Sequence, residues 1–364
     1  MNITIKLFDI YIFLITLFKG LGADGADIGY IIAFCIGCVA IYTKIRKERF
    51  RKKELYSILL ILLIGILNLV IGHTTTILFT AIAILGMNGI DIRHIAKLCL
   101  KVRIVAFSIR LVLSMSGIKK GEIVQFYRAG KFISRYTFGY ATPNTAHMAL
   151  ATIIILIIYL YGERIGLVWY ALLMIVNFTI YKFTGSRTGF LVVILCVILS
   201  VFLYKTKLRD LIIKLLKYAY PALFVGTLIV GYLYGKSAVI YKLDELLTGR
   251  IRYIGILLNT QKFPILGGSQ YFWRNEQILF DNSYIAMIYQ SGLIAFAWIS
   301  YYTMKAIQKI SNEKRYADFF LMTSFILYGV TESIFASVSV NVSLLLLSQV
   351  VFDKSRTIFV ERNT

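Results

Sequence analysis

Long apolar blocks recur along the whole chain, and they restrict its possible folds more than any other feature. A helix needs roughly 20 mostly apolar residues to cross the hydrocarbon core of a bilayer. Twelve blocks approach that length, near 4–20, 28–43, 55–72, 74–90, 96–117, 144–162, 165–182, 188–204, 217–234, 283–304, 318–335 and 336–352. The expected fold is an all-α, polytopic integral membrane helix bundle of about twelve transmembrane helices, with residues 1–364 forming a single transmembrane domain. Hydrophobic residues make up 59% of the chain and charged residues 16%, against about 45–50% and about 25% in soluble proteins. That balance excludes a soluble enzyme, a disordered protein and an exported disulfide scaffold. Twelve spans would also leave no segment able to form a sizeable soluble core.

The formal net charge is +22. In so apolar a chain this reads as membrane topology plus contact with something acidic, membrane lipids included, and not as nucleic-acid binding. The run from Lys44 to Lys53 is the strongest orientation signal. Placed in the cytoplasm, it puts both termini there and makes the chain a multi-pass protein of the cytoplasmic (inner or plasma) membrane. Alternation then brings Arg93, Lys97, Arg164, Lys205 to Lys217, Lys305 to Arg315 and the Lys354 tail to the same side. Two long loops, about 118–143 and 235–282, fall on the extracytoplasmic side. The first carries Lys119, Lys120, Arg128, Lys131 and Arg135 against Glu122. The second carries Lys236, Lys242, Arg250, Arg252, Lys262 and Arg274 against Asp244, Glu245, Glu276 and Asp281. Long loops cross membranes regardless of charge. A basic outer surface equally suits an anionic ligand such as a lipid phosphate or pyrophosphate.

Four motifs fall on that outer face. Thr184-Gly-Ser-Arg-Thr-Gly189 joins two spans through a tight connection that ends at a helix start. Backbone N–H groups there favour an anion, and Arg187 adds a forked cation able to hold two phosphate oxygens; an ordinary polar hairpin with one snorkelling Arg fits the same residues. Leu247-Thr-Gly-Arg-Ile-Arg-Tyr253 precedes an amphipathic stretch to Lys262, and Pro264-Ile-Leu-Gly-Gly-Ser269 follows. Asp281-Asn-Ser-Tyr284 stands at the mouth of the next span, with Ser291-Gly-Leu-Ile294 inside it. Asp281 is either a helix N-cap or a base that takes a proton from a hydroxyl. Finally, Phe138-Gly-Tyr-Ala-Thr-Pro-Asn144 leads into a helix that Pro143 and Asn144 suit, with His147 one turn inside. His147 either packs in the core or faces an outer cavity beside Asn144.

Other candidates are weaker. Cys35 and Cys38 have redox or zinc spacing but lie in an apolar block without a second pair, so packing is the default. His73 and His94 form no metal constellation with neighbours in sequence, and no carboxylate–histidine cluster is apparent. Arg110 and Glu332 are the clear ionisable residues within apolar blocks. There is no ladder of charges, which argues against a proton-coupled transporter or a voltage sensor.

Taken in order on one face, the Gly-Ser-Arg-Thr-Gly, Gly-Arg, Pro-x-x-Gly-Gly, Asp-Asn-Ser-Tyr and Gly-Leu-Ile motifs resemble those of Wzy-type O-antigen and capsular repeat-unit polymerases, as does the run before Asn144. The resemblance covers roughly residues 125–300. It implies a GT-C-like fold and a glycosyltransferase on the outer face of the cytoplasmic membrane, polymerising undecaprenyl-pyrophosphate-linked oligosaccharide and releasing undecaprenyl pyrophosphate. It implies no metal and no cofactor; flippase and chain-length regulator proteins are implied partners. The family's two outer-face arginines map to Arg187 and Arg250. With Asp281 they form the implied catalytic set. Ser186, Arg252, Arg128, Arg135, Asn144, His147 and Asn282 are the implied substrate-binding residues. Related ligases carry a His before the Asn of the second loop, where this chain has Asp281; that departure favours a polymerase over a ligase and leaves Asp281 or His147 as the base. An O-antigen ligase-like transferase, or a flippase or exporter of lipid-linked sugar, is the alternative, although no half-to-half repeat supports transport.

Overall fold

The computed structural model describes residues 3–23, 27–47, 50–118, 121–128, 131–247, 249–268 and 279–352. The apolar blocks are helical almost throughout. In chain order the helices are α1 (Ile3–Gly20), α2 (Ile28–Lys47), α3 (Lys52–Gly72), α4 (Thr76–Gly86), α5 (Ile92–Met115), α6 (Pro143–Tyr161), α7 (Leu167–Thr184), α8 (Arg187–Lys205), α9 (Arg209–Leu216), α10 (Ala219–Tyr232), α11 (Ala238–Leu246) and α12 (Arg250–Thr260). They continue with α13 (Ser283–Asn312) and α14 (Tyr316–Gly329), and then a 3-10 turn at Val342–Leu347 runs into the short α15 (Ser348–Val351).

The chain is a multi-pass membrane protein, but not one of twelve spans. Among the described residues six helices are long and apolar enough to cross a bilayer: α2, α3, α6, α7, α8 and α13. A seventh span exists if α9 and α10, bent by 46° at their junction, count as one. The other blocks fail for distinct physical reasons. α4 has 11 residues and α14 has 14, too short for a core of about 30 Å at 1.5 Å per residue. α1 carries Lys6, Asp9 and Lys19, and α5 carries five Arg and Lys residues. The expected last span, 336–352, is a series of turns and a 3-10 segment.

Burial accounts for the short helices. Every residue from Ile77 to Gly86 is buried, as is nearly all of α14. A helix that is apolar all round belongs in an interior, and here other helices surround it. α2, α3 and α7 instead leave most of their apolar side chains exposed, as lipid-facing helices do.

Buried cations brace the irregular backbone around this core. Lys44 Nζ donates to the carbonyls of Gly86, at 2.7 Å, and Asn88, placing a cation at the C-terminus of α4 where the helix dipole favours it. Arg103 Nη2 donates to the carbonyls of Ser339 and Val340, both at 2.8 Å. Arg110 lies 5.4 Å from the Tyr140 ring centroid. Two of the cations that looked like topological or intramembrane charge, Lys44 and Arg110, are therefore built into the core.

The two long connections are structured. The first contains an antiparallel hairpin, β1 (Ile123–Arg128) and β2 (Lys131–Tyr136), in register from Ile123↔Tyr136 to Arg128↔Lys131. The second contains α11 and α12. Lys119, Lys120, Arg274, Glu276 and the Lys354 tail lie outside the described residues, and so do the side chains of Arg128 and Lys131.

Candidate functional site: a carboxylate-bound arginine

The Gly-Ser-Arg-Thr-Gly motif is the turn between α7 and α8. Gly185 takes a left-handed conformation, φ 58°, and closes α7 with its N–H on the Tyr181 carbonyl. α8 then begins at Arg187. The side chain of Arg187 is exposed and makes no hydrogen bond or ion pair among the described residues. The Ser186 hydroxyl is buried without a hydrogen-bond partner. Thr188 Oγ1 donates to Glu332 Oε1 at 3.4 Å.

Arg250 opens α12 after Gly249, whose φ of 83° turns the chain into the helix. Its Nη2 pairs with Glu332 Oε1 at 2.9 Å, and its Nε lies 3.6 Å from Asp281 Oδ2. Only 7% of the Arg250 side chain is exposed, yet among the described residues Nε and Nη1 have no hydrogen-bond partner. Buried donors left unpaired cost about 1–3 kcal/mol each. Nε is left with the longer ion pair to Asp281.

Glu332 lies in the turns after α14, outside the candidate spans. Ser283 Oγ donates to the Glu332 carbonyl at 2.5 Å and accepts the N–H groups of Ile334 and Phe335 at 3.0 and 2.9 Å. Burial pushes the Glu332 carboxyl above its ordinary pKa, the Arg250 guanidinium pulls it back, and the Asp281 charge pushes it up again.

The Asp-Asn-Ser-Tyr motif divides its work between residues. Asn282, not Asp281, is the N-cap of α13: its Oδ1 accepts from Tyr284 and Ile285 N–H at 3.0 and 3.2 Å, while Nδ2 donates to the Val330 carbonyl at 2.9 Å. Asp281 is thereby free to face Arg250, with 34% of its side chain exposed. The Pro-x-x-Gly-Gly segment docks on a break in the same helix. α13 runs as a π-turn over Met287–Ser291, and Gly292 has φ 88°. Gly268 N–H bonds the Tyr289 carbonyl at 2.8 Å, and Leu293 N–H bonds the Pro264 carbonyl at 2.9 Å. A Cβ on Gly292 would lie 2.4 Å from Gly267 N, so only glycine permits this approach.

The remaining candidates brace the site. Arg135 of β2 donates from Nε to the Thr184 carbonyl and from Nη2 to Asn144 Oδ1, both at 2.7 Å, tying the hairpin to the end of α7 and the start of α6. The α6 N-cap is Thr142, its Oγ1 accepting Thr145 N–H at 3.1 Å. His147 is fully buried. Its Nδ1 lies 3.1 Å from Thr184 Oγ1 and its Nε2 2.9 Å from Asn177 Oδ1. Both ring nitrogens are taken up in positioning α7, and the ring supports α8 beneath Gly189. Arg252 has an exposed side chain; its backbone N–H bonds the buried Asp244 carboxylate at 2.9 Å.

Sequence reasoning left two contributors out of the site. Glu332 showed itself only as an ionisable residue near the end of an apolar block, and Thr188 as part of the turn motif. The structure also brings His94 Nε2 to Asp9 Oδ2 at 3.1 Å, a carboxylate–histidine pair from distant helices that no local spacing reveals. Among the described residues no three His, Cys, Asp or Glu side chains converge as metal ligands. Comparison with protein-family models, with curated proteins and with solved structures finds no match.

Proposed function

We propose that this chain is a membrane glycosyltransferase of the Wzy type, polymerising oligosaccharide repeat units carried on a polyprenyl diphosphate. The observation that carries the reading is Arg250: a nearly buried guanidinium, held by Glu332 through Nη2 and flanked by Asp281 3.6 Å from Nε, whose Nε and Nη1 make no hydrogen bond among the described residues. Arg187 stands next to Thr188, whose hydroxyl reaches the same Glu332. A diphosphate beside this cluster would meet the Arg250 guanidinium, whose Nη1 has no hydrogen bond among the described residues, and the exposed fork of Arg187 would supply further charge. The motif order from Thr184 to Ile294 supports the same reading.

In this mechanism a hydroxyl oxygen of the acceptor sugar attacks the anomeric carbon of the donor glycan. A new C–O glycosidic bond forms as the bond from that carbon to the diphosphate oxygen breaks. The electron pair leaves with the polyprenyl diphosphate, whose growing charge Arg187 and Arg250 stabilise. The hydroxyl proton passes to Asp281, the partly exposed carboxylate at the edge of the cluster. Glu332 holds Arg250 in position. His147, both nitrogens engaged, acts as a brace and not as the base. With the basic segment 44–53 read as cytoplasmic, the Arg250 cluster at the opposite end of the bundle carries out transfer on the outer face of the cytoplasmic membrane.

The test is reconstitution of purified protein with a polyprenyl-diphosphate-linked repeat unit, read by product length. Lengthening of the lipid-linked glycan is expected. Transfer of finished glycan to a different acceptor without lengthening would instead identify a ligase. Passage of intact lipid-linked sugar across the membrane with no new bond would identify an exporter.

A further inference from the structure

A second site lies at the other end of α13. A cavity of about 1130 Å³ opens between Arg51–Glu54 at the start of α3, Tyr301–Glu313 in the last turns of α13, and residues Gln349–Phe352. At 1.5 Å per residue, Lys305 stands roughly 30 Å along the helix from Ser283, about the thickness of a hydrocarbon core. The cavity and the Arg250 cluster therefore face opposite membrane surfaces.

Its wall carries Arg51, Lys52, Lys53, Lys305 and Lys309 against Glu54 and Glu313. Both carboxylates are engaged: Glu54 Oε2 accepts Arg51 N–H at 2.8 Å, and Glu313 Oε2 pairs with Arg315 at 3.2 Å. Lys309 donates to the Gln349 carbonyl at 2.9 Å. Lys305 stands 4.4 Å from the Tyr301 ring centroid. Lys52 and Lys53 make no hydrogen bond or ion pair among the described residues. Topology alone requires basic residues on one side of the membrane; it does not require residues from α3 and α13 to line one hollow. Leu55, Tyr56, Leu59 and Leu63 of α3 are exposed, and at helical spacing Tyr56, Leu59 and Leu63 continue the face that carries Lys52. Tyr302 on the cavity wall has its OH 2.7 Å from Ser57 Oγ, and Trp298, 4.5 Å from the Tyr302 ring, donates Nε1 to the same oxygen at 3.1 Å.

We infer that this cavity binds the phosphate headgroup of an anionic phospholipid, with the acyl chains lying along α3. Cations lining the cavity and an exposed apolar face running along α3 from Lys52 match the two halves of such a lipid. A soluble phosphate would use only the first. The inference does not depend on the transferase reading.

Trp298 provides the readout. Full-length protein with Trp169→Phe and Trp273→Phe is reconstituted in phosphatidylcholine vesicles containing either brominated phosphatidylglycerol or brominated phosphatidylcholine. Trp298 should be quenched at a lower mole fraction of the anionic lipid, and high salt should reduce that preference. Lys52→Gln, Lys53→Gln and Lys305→Gln together should weaken it about tenfold or more, while the corresponding Arg variants retain it. The Arg variants and the salt dependence test the site even where the Gln variant folds poorly. Equal quenching by both lipids, or a preference unchanged in the Gln variant, would overturn the inference. So would binding of inorganic pyrophosphate to the site with no preference for the anionic lipid in vesicles, which would mark a soluble-phosphate site.

Discussion

Arg250 and Glu332 are separated by 82 positions in the chain and meet at 2.9 Å. The pair joins the start of α12 to the turns after α14. Asp281 approaches from the start of α13 and Thr188 from the start of α8. Four separate segments thus converge on one guanidinium–carboxylate pair, at the point where the sequence motifs collect.

Removing one partner of this pair should cost more than its net worth. Arg250→Ala leaves Glu332 buried without its cation, and Glu332→Ala leaves Arg250 buried with only Asp281, 3.6 Å from its Nε, as counter-charge. Each should destabilise the protein by about 3–5 kcal/mol. The double Ala variant should lose clearly less than the two single losses combined. Thermal unfolding in detergent measures all three, and strictly additive losses would mean the pair is not coupled.

Arg187 should separate stability from activity. Its side chain is exposed and unpartnered among the described residues, so Arg187→Ala should leave stability within about 0.5 kcal/mol of the parent. Under the transferase reading the rate of glycan extension should fall a hundredfold to a thousandfold, as for loss of a donor to developing charge. Arg187→Lys should recover little, because an ammonium lacks the fork. Undiminished extension by the Ala variant would remove Arg187 from the mechanism.

The turn between α7 and α8 should tolerate no added methyl at Gly189. A Cβ there would lie 2.6 Å from His147 Cδ2. Gly189→Ala should destabilise by about 1–3 kcal/mol through overpacking. The penalty should shrink when His147→Ala is introduced in the same protein, as judged by unfolding temperatures of the two singles and the double.

Glu332 gives the stability a defined pH dependence. Its folded pKa is raised above the ordinary 4.5, so the fold binds this proton more tightly than the unfolded chain does. Its contribution is fully present below the unfolded value and is lost as pH rises through the folded one. Glu332→Gln should remove that slope while retaining a constant penalty from the weakened hold on Arg250. Unfolding temperatures across the acid range measure the difference; parallel curves for parent and variant would contradict it.

Much of the local architecture is written in the sequence, because apolar blocks, glycines and capping residues act over a few neighbours. The helix starts at Pro143 and Arg187 follow from Thr142-Pro143 and Gly185-Ser186, and the blocks from 28–43 to 188–204 coincide with helices α2 to α8. How many helices can cross the membrane was not legible. An apolar block reads the same whether lipid or protein surrounds it, and α4 and α14 are enclosed by protein. The site shows the same division. Glycine at 185 and 249 specifies turns locally, but nothing near Glu332 in sequence announces Arg250. That pairing exists only because helix packing removes both side chains from water and leaves each as the other's nearest compensating charge.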